Sequence, residues 1–196
     1  MSKKLPSLKQ IKKLMEKIAQ NNGIPKQAKD TWEHSKCVWR FAKKIAKYAM
    51  ANGYAVDLNF LKIACFVHDI GRMVTGSKKT KELKDPIYHG IGGYKICKKA
   101  GFSERLARVC QRHIGGTGLP KKINIQYGLA KNDTFAKTLE EKILGYADLR
   151  TFGTGGIPQI VSFKKAYNRF KKYPGAEERI KKAHQFIKKI TGEKVK

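Results

Sequence analysis

Three of the five histidines in this 196-residue chain, together with two aspartates, fall where helical patterns turn inward. His34 shares a face with Val38, Phe41 and Ile45, its i+4, i+7 and i+11 neighbours, which is the apolar face of its helix. His68 and Asp69 end the most apolar helical stretch in the chain, and His113 shares a face with Leu106, Val109 and Cys110. Asp148 lies above Leu144 on a helix otherwise packed by Ile143 and Ala147. An ionised aspartate on an inward face is costly unless a cation or hydrogen-bond donors compensate it. One inward histidine is ordinarily a hydrogen-bonded core residue. Imidazole and carboxylate groups converging from separate helices need a common compensator, and a metal ion supplies one. His89 follows Pro86 at a helix start and precedes Gly90, Gly92 and Gly93, which let that helix approach its neighbours and bring a sixth ligand near. Mixed imidazole and carboxylate ligands suit Fe, Mn, Co, Ni or Zn better than Ca or Mg. The remaining histidine, His184, shares a face with Ile180 and Ile187 and reads as a packing or surface residue.

The elements that must position these groups are almost all helical in period. Ser7 and Gln10 form a capping box for a first helix that stops near Asn21-Asn22-Gly23. Pro25 opens a long second helix ending at Asn52-Gly53. Asp57 caps a third, from Leu58 to Ile70, closed by Gly71. A polar loop from Thr75 to Asp85 leads to a fourth helix from Pro86 to Lys99. Ser103 caps a fifth, which ends at Gly115-Gly116. Residues 117–137 read as the longest irregular stretch, and long loops in compact domains are usually functional. Thr138 and Glu141 form a second capping box for a helix through Arg150. A Gly-rich turn, Thr151–Gly156, precedes two amphipathic, Lys-rich helices.

Composition narrows the class of protein. The apolar fraction of 41% supports a packed core and argues against a disordered chain. Lysine and arginine number 43 against 15 acidic residues, a formal charge of +28 that attracts anions such as nucleic acid, nucleotides or an anionic surface. A solvated Lys-rich surface without a specific partner accounts for the same excess. Cys37, Cys65, Cys97 and Cys110 form no CxxC pair and sit among apolar residues, which points to reduced core residues rather than zinc ligands. The N-terminus has no apolar stretch of a signal peptide, and no run approaches the length of a membrane span. A soluble, cytoplasmic protein that makes no membrane contact is the expectation.

The order His…His-Asp…His…His…Asp, with His68-Asp69-Ile70-Gly71 intact, resembles the HD-domain superfamily of metal-dependent phosphohydrolases, and within it small HDIG-type proteins of archaea. The matching stretches are Glu33-His34-Ser35, Phe66-Val67-His68-Asp69-Ile70-Gly71-Arg72, His89-Gly90-Ile91-Gly92-Gly93, Arg112-His113-Ile114-Gly115, and Thr138 to Ile143 leading to Ala147-Asp148. The resemblance implies an all-α fold, a single-domain HD-type helical bundle with extra N- and C-terminal helices. Residues 27–153 would form its metal-binding core, 1–26 an N-terminal helix packed on it, and 154–196 the Lys-rich C-terminal helices of the same domain. It also implies a first divalent transition metal on His34, His68, Asp69 and Asp148. Asp69 would bridge to a second metal completed by His89 and His113. Family members lacking the two middle histidines are usually mononuclear, so a two-metal site is favoured over one. HD-type dinucleoside tetraphosphatases and cyclic-dinucleotide phosphodiesterases look like this arrangement, although the GYP signature of the latter is absent.

The function so implied is hydrolysis of phosphomonoester, phosphoanhydride or phosphodiester bonds, chiefly in nucleotides, by a metal-activated water. Asp69, His68 and Arg72 are the candidate catalytic residues. Arg72 is a candidate phosphate contact, or else an arginine held by helix-end carbonyls. Lys78, Lys79, Lys121 and Lys122 are candidate substrate-binding residues, with a solvated charge run as the other account of Lys78 and Lys79. The 117–137 loop, with Tyr127 and Lys131, is expected to cover the site and read the base. RNA is the alternative partner. The competing class is a metal-containing HD scaffold that binds nucleic acid or nucleotides without turnover, although no recognised RNA-binding motif is present.

Overall fold

The computed structural model describes residues 4–75, 86–153 and 157–195. Helix α1 (Leu8–Asn21) begins at the Ser7–Gln10 capping box and buries Ile11, Met15 and Ala19, one residue per turn. Helix α2 (Pro25–Ala51) has Pro25 in its first turn, where a missing N–H costs nothing, and lays Val38, Phe41, Ala42 and Ile45 into the core. Helix α3 (Leu58–Val67) is capped by the Asp57 carboxylate, which accepts from Phe60 N at 2.8 Å. Seven of its ten residues are buried, because it is enclosed by α1, α2, and two further helices, α6 (Glu104–Arg112) and α8 (Leu139–Leu149). Each large apolar side chain so buried contributes roughly 1.5–3 kcal/mol.

Helix α3 ends three residues earlier than its apolar pattern predicts. From His68 the chain tightens into i→i+3 turns, with Ile70 N donating to Val67 O at 2.9 Å and Arg72 N to Asp69 O at 3.0 Å. It then re-forms as the single turn α4 (Arg72–Thr75). The turn lies against the backbone of His89: a Cβ on Gly71 would lie 1.8 Å from the carbonyl oxygen of His89. Asn22 Nδ2 fastens the end of α1 to α4 by donating to Met73 O at 3.1 Å. The polar loop expected after Thr75, with Lys78 and Lys79, lies outside the described residues.

A 3₁₀ turn at Pro86–Tyr88 leads into α5 (His89–Lys99), so the fourth helix starts three residues later than expected. Gly90 and Gly93 pack it onto α6. A Cβ on either would come within 2.9 Å of Ile114 or Cys110. Helix α6, capped by Ser103, stops at Arg112 rather than at Gly116, because Gly115 and Gly116 adopt φ of 63° and 76°.

The 117–137 segment is less irregular than its sequence suggests. It contains a short helix, α7 (Lys121–Gln126), and the buried Asn124 side chain organises it by donating to Leu119 O and Asn132 O. Leu119, Leu129 and Ile123 pack it against Ile87, Ile91 and Ile114. Helix α8 starts at the Thr138–Glu141 capping box. Two Lys-rich helices follow, α9 (Phe163–Phe170) and α10 (Ala176–Thr191), and the latter packs on α2 and α8. Apart from one antiparallel bridge between Thr151 and Ile160, the described residues form no β-structure. All four cysteines are buried and free, as their apolar settings imply. No helix among the described residues is long and apolar enough to cross a membrane.

Candidate metal centre

Helices α2, α5, α6 and α8 and the turn after α3 bring His34, His68, Asp69, His89, His113 and Asp148 into one cluster. Its contacts divide between the two oxygens of Asp69. Around Oδ2 lie His34 Nε2 at 3.7 Å and His68 Nε2 at 3.6 Å. Asp148 Oδ1 joins this side, 2.9 Å from His34 Nε2 and 3.4 Å from His68 Nε2. Around Oδ1 lie His89 Nε2 at 3.0 Å and His113 Nε2 at 3.3 Å, and these two nitrogens are 2.8 Å apart. His68, His113 and Asp148 also have donor atoms within 4.8 Å of one another, so the two halves abut.

The backbone fixes which nitrogens face the cluster. His68 Nδ1 lies 2.8 Å from Cys65 O and His113 Nδ1 3.3 Å from Val109 O. A carbonyl oxygen only accepts, so each Nδ1 carries the proton, and the Nε2 of the neutral ring presents a lone pair inward. Such outer hydrogen bonds are how metal-ligating imidazoles are held. His68 Nε2 and Asp69 Oδ1 are buried and make no hydrogen bond. Asp69 Oδ1 does have imidazole nitrogens near it, but not at hydrogen-bonding angles. Two orphaned acceptors at the centre of a buried cluster are expensive unless a cation sits between them. Ligands about 2.1 Å from one ion stand about 3.0–3.4 Å from each other, and the donor atoms here, spaced from 2.8 to 3.7 Å, bracket that separation. The donor set therefore fits divalent transition metals.

Electrostatics agree with a cation-binding role. Burial opposes charge on Asp69, but Arg72, His68 and His89 outweigh it and hold the carboxyl well below the usual range. Burial likewise opposes charge on Asp148, yet the His34 hydrogen bond and the adjacent His68 ring keep it ionised. Burial lowers the His113 pKa to about 4, so its ring is neutral near pH 7 and free to act as a ligand. On His68 burial is the largest influence and lowers the pKa, but the Asp69 and Asp148 charges together raise it above its ordinary value.

Two findings modify the expected picture. His34 and Asp148 retain 19% side-chain exposure, whereas His68 and Asp69 are sealed at 0% and 2%. The inward face of α2 is thus open at His34, which gives the cluster a solvent-facing side. Arg72 is held by the Asp69 carboxylate. Its Nε donates to Asp69 Oδ2, while 40% of the side chain remains exposed at the rim. Lys121 and Lys122 project into solvent, and neither side chain makes a hydrogen bond or ion pair among the described residues. The buried part of the 117–137 segment faces the start of α5 and the turn after α6, and Tyr127 and Lys131 lie at its surface. His184 packs as expected: its ring stacks on Phe163 at 3.6 Å, and its Nδ1 meets the Tyr146 hydroxyl at 2.6 Å.

Several residues that shape the cluster carry no metal-ligand signature. Arg112, beside His113, pairs at 2.6 Å with Glu141, which is 2% exposed and also caps α8. That pair locks the end of α6 to the helix carrying Asp148. Gly145 and Gly116 let the turn after His113 touch α8, since a Cβ on Gly145 would lie 2.4 Å from Gly116 O. The i−3 and i−4 carbonyls that orient His68 and His113 were readable from helical spacing. The cross-helix contacts were not.

Comparison with known proteins gives a family and relatives of several kinds. The family profile described as HD domain matches residues 31–151. An uncharacterized protein of Methanocaldococcus jannaschii is 35% identical over 81% of this chain and 82% of its own length. A tRNA (cytidine(56)-2'-O)-methyltransferase of Picrophilus torridus is 29% identical over 81% of the chain, and that of Thermoplasma volcanium is 28% identical over 82%. The chain spans 42% of the length of each methyltransferase. Among solved structures, the HD domain of the L. monocytogenes phosphodiesterase PgpH aligns at 18% identity and a TM-score of 0.46, covering 91% of this chain and 97% of that one. The same domain in complex with cyclic-di-AMP gives a TM-score of 0.47, also at 18% identity, over 94% and 98%.

Proposed function

The chain belongs to the HD-domain family, and from that premise we propose that it is a metal-dependent phosphohydrolase acting at the His34, His68, Asp69, His89, His113 and Asp148 cluster. The observation that carries the reading is the pair of buried acceptors without hydrogen bonds, His68 Nε2 and Asp69 Oδ1, facing the middle of the cluster. In this reading His34, His68, Asp69 and Asp148 hold one divalent ion, and Asp69, His89 and His113 a second. Bound Fe, Mn, Co, Ni or Zn would supply an activated water and stabilise charge on the phosphoryl oxygens.

The protein's own share is positioning. The Cys65 and Val109 carbonyls keep His68 and His113 in the tautomer that leaves Nε2 without a proton. Arg72, paired with Asp69 and half-exposed at the rim, is placed to turn its guanidinium toward a phosphate anion entering on the open side at His34 and Asp148. Residues 27–153 make up this core, and 1–26 and 154–196 complete the same domain. The substrate class is a phosphate ester or anhydride, most directly a nucleotide.

The test is turnover of bis(p-nitrophenyl) phosphate and a nucleotide set by protein loaded with Mn²⁺ or Fe²⁺. Asp69→Ala should abolish turnover and most metal binding. Full activity in that variant sinks the assignment.

A second reading, an RNA partner, is favoured by one observation. Relatives named as tRNA methyltransferases contain a segment similar to four-fifths of this chain, so a domain of this type occurs beside an RNA-modifying activity.

A further inference from the structure

Between His34 and Val56 the chain has no acidic residue, yet it carries Lys36, Arg40, Lys43, Lys44 and Lys47. All five belong to α2 and all are exposed. At 3.6 residues per turn they recur at i, i+4, i+7, i+8 and i+11, which is one face, and it is the face opposite the buried Val38, Ala42, Ile45 and Ala49. Lys36 is neutralised by Glu33 at 2.8 Å. Arg40, Lys43, Lys44 and Lys47 form no ion pair among the described residues, and with Tyr48 they line a shallow depression. Lys194, beyond α10, adds a fifth cation there, since its Nζ lies 5.6 Å from the Tyr48 ring that Lys44 also approaches.

Several other lysines and arginines are paired with carboxylates. Lys98 and Arg108 face Glu104, Lys181 faces Glu177, Lys182 faces Glu178, and Lys188 faces Glu193. Leaving four uncompensated cations on about 11 Å of rigid helix is unfavourable in isolation, because like charges one turn apart repel. A polyanion with regularly spaced charges removes that cost.

We propose that the outer face of α2, from Arg40 to Lys47 with Lys194, is a docking stripe for the phosphate backbone of a nucleic acid. It refines the RNA reading above and is independent of catalysis. One observation favours a nucleic-acid backbone over an anionic membrane. Membrane-surface helices set aromatic or long aliphatic side chains beside their cations, ready to insert. Here the neighbouring aromatics, Trp39 and Tyr48, are half-buried beneath the Lys43 and Lys44 ammonium groups at 5.9 and 6.0 Å. The same burial withholds a stacking platform for bases, so the contacts are to phosphates and carry no sequence preference. Because the stripe lies on the far side of α2 from its buried residues, and His34 flanks those, a bound strand runs outside the cluster and tethers rather than enters it.

Fluorescence anisotropy tests this with a labelled RNA duplex of about 20 base pairs, a DNA duplex of equal length and phosphatidylserine vesicles, over salt from about 50 to 200 mM. The wild-type protein should bind duplex with a log–log salt slope of about −3 to −4, nearly one unit per phosphate contacted. Lys43→Gln/Lys44→Gln/Lys47→Gln should weaken binding at least about tenfold and flatten the slope by about 2–3. Lys98→Gln/Lys181→Gln/Lys182→Gln removes the same formal charge from lysines already paired with glutamates and should cost under about threefold. Circular dichroism confirms that both variants fold. RNA bound more tightly than DNA assigns the stripe to RNA, and equal binding assigns it to either duplex. Equal losses in the two triple variants, no duplex binding by the wild type, or a vesicle affinity that alone depends on the stripe each overturns the proposal. Asp69→Ala should bind duplex like the wild type and the stripe variant should hydrolyse small substrates normally, so failure of one reading does not disguise failure of the other.

Discussion

At the scale of single residues the cluster is a problem of lone pairs. Two ionised carboxylates and at least two imidazoles with inward-facing Nε2 are packed together, with orphaned acceptors at His68 and Asp69. That arrangement makes each ligand's removal specific. His89→Ala and His113→Ala are expected to lose the ion on the Asp69 Oδ1 side, while His34→Ala disturbs the other. Metal content determined by mass spectrometry reads this directly, and a single equivalent in the wild type and all three variants rules out two ions. Arg72 has a different signature. Removing a guanidinium that meets the substrate's phosphate should raise KM about tenfold, roughly 1.4 kcal/mol, with a smaller fall in kcat. An unchanged KM in Arg72→Ala would mean that the arginine serves Asp69 alone.

At the scale of elements the decisive feature is how closely α4, α5 and α6 approach. Gly71 abuts the backbone of His89, and no side chain can move aside to admit a Cβ at 1.8 Å. Gly71→Ala should therefore cost more than about 3 kcal/mol in denaturant unfolding and reduce metal content, because His89 is displaced. A Cβ on Gly92 is tight only against the Val74 side chain, at 3.0 Å, with Gly71 at ordinary contact distance, so Gly92→Ala should cost about 1 kcal/mol or less. Similar losses in both variants would refute backbone contact as the cause. The packing of α10 on α8 adds a titratable element. Burial, with the Arg150 and Lys188 charges, lowers the His184 pKa, and the Tyr146 hydroxyl and Phe163 ring face it from α8 and α9. A depressed histidine pKa means that the unfolded chain binds the proton more readily, so this contribution to stability is present above about pH 6.5 and is lost as pH falls below it. His184→Phe should lose less melting temperature than the wild type between about pH 7.5 and 5.5. An identical pH dependence would exclude the role.

For the whole molecule, charge and the main apolar core set the terms. A formal +28 repels itself, and the repulsion is screened by salt, so the melting temperature should rise between about 10 and 300 mM NaCl. A fall over that range would contradict the account. Ile11, Met15 and Ala19 of α1 and Ile180, Ile187 and Ile190 of α10 belong to the same apolar cluster as α3. The terminal helices are in that sense continuous with the centre, and α1 holds α4 through Asn22 and Met73.

The all-helical fold and most helix boundaries follow from local rules. Capping boxes at Ser7 and Thr138, Pro25, and the Asn52-Gly53 stop act through a few neighbouring residues, so they are legible in the chain itself. Five of the candidate ligands were also legible, because helical period shows which face a side chain occupies, and His89 was marked by the glycines that follow it. Period does not say which helices meet. The close approach of Gly71 to His89 joins residues 18 positions apart, and the order within residues 117–137 depends on Asn124 reaching Asn132. The division of ligands between the two oxygens of Asp69 and the capture of Arg72 by that carboxylate are likewise products of distant segments packing together. Sequence determined the inventory and its faces. Only the tertiary contacts, which join residues that local periodicity treats as independent, decided the geometry.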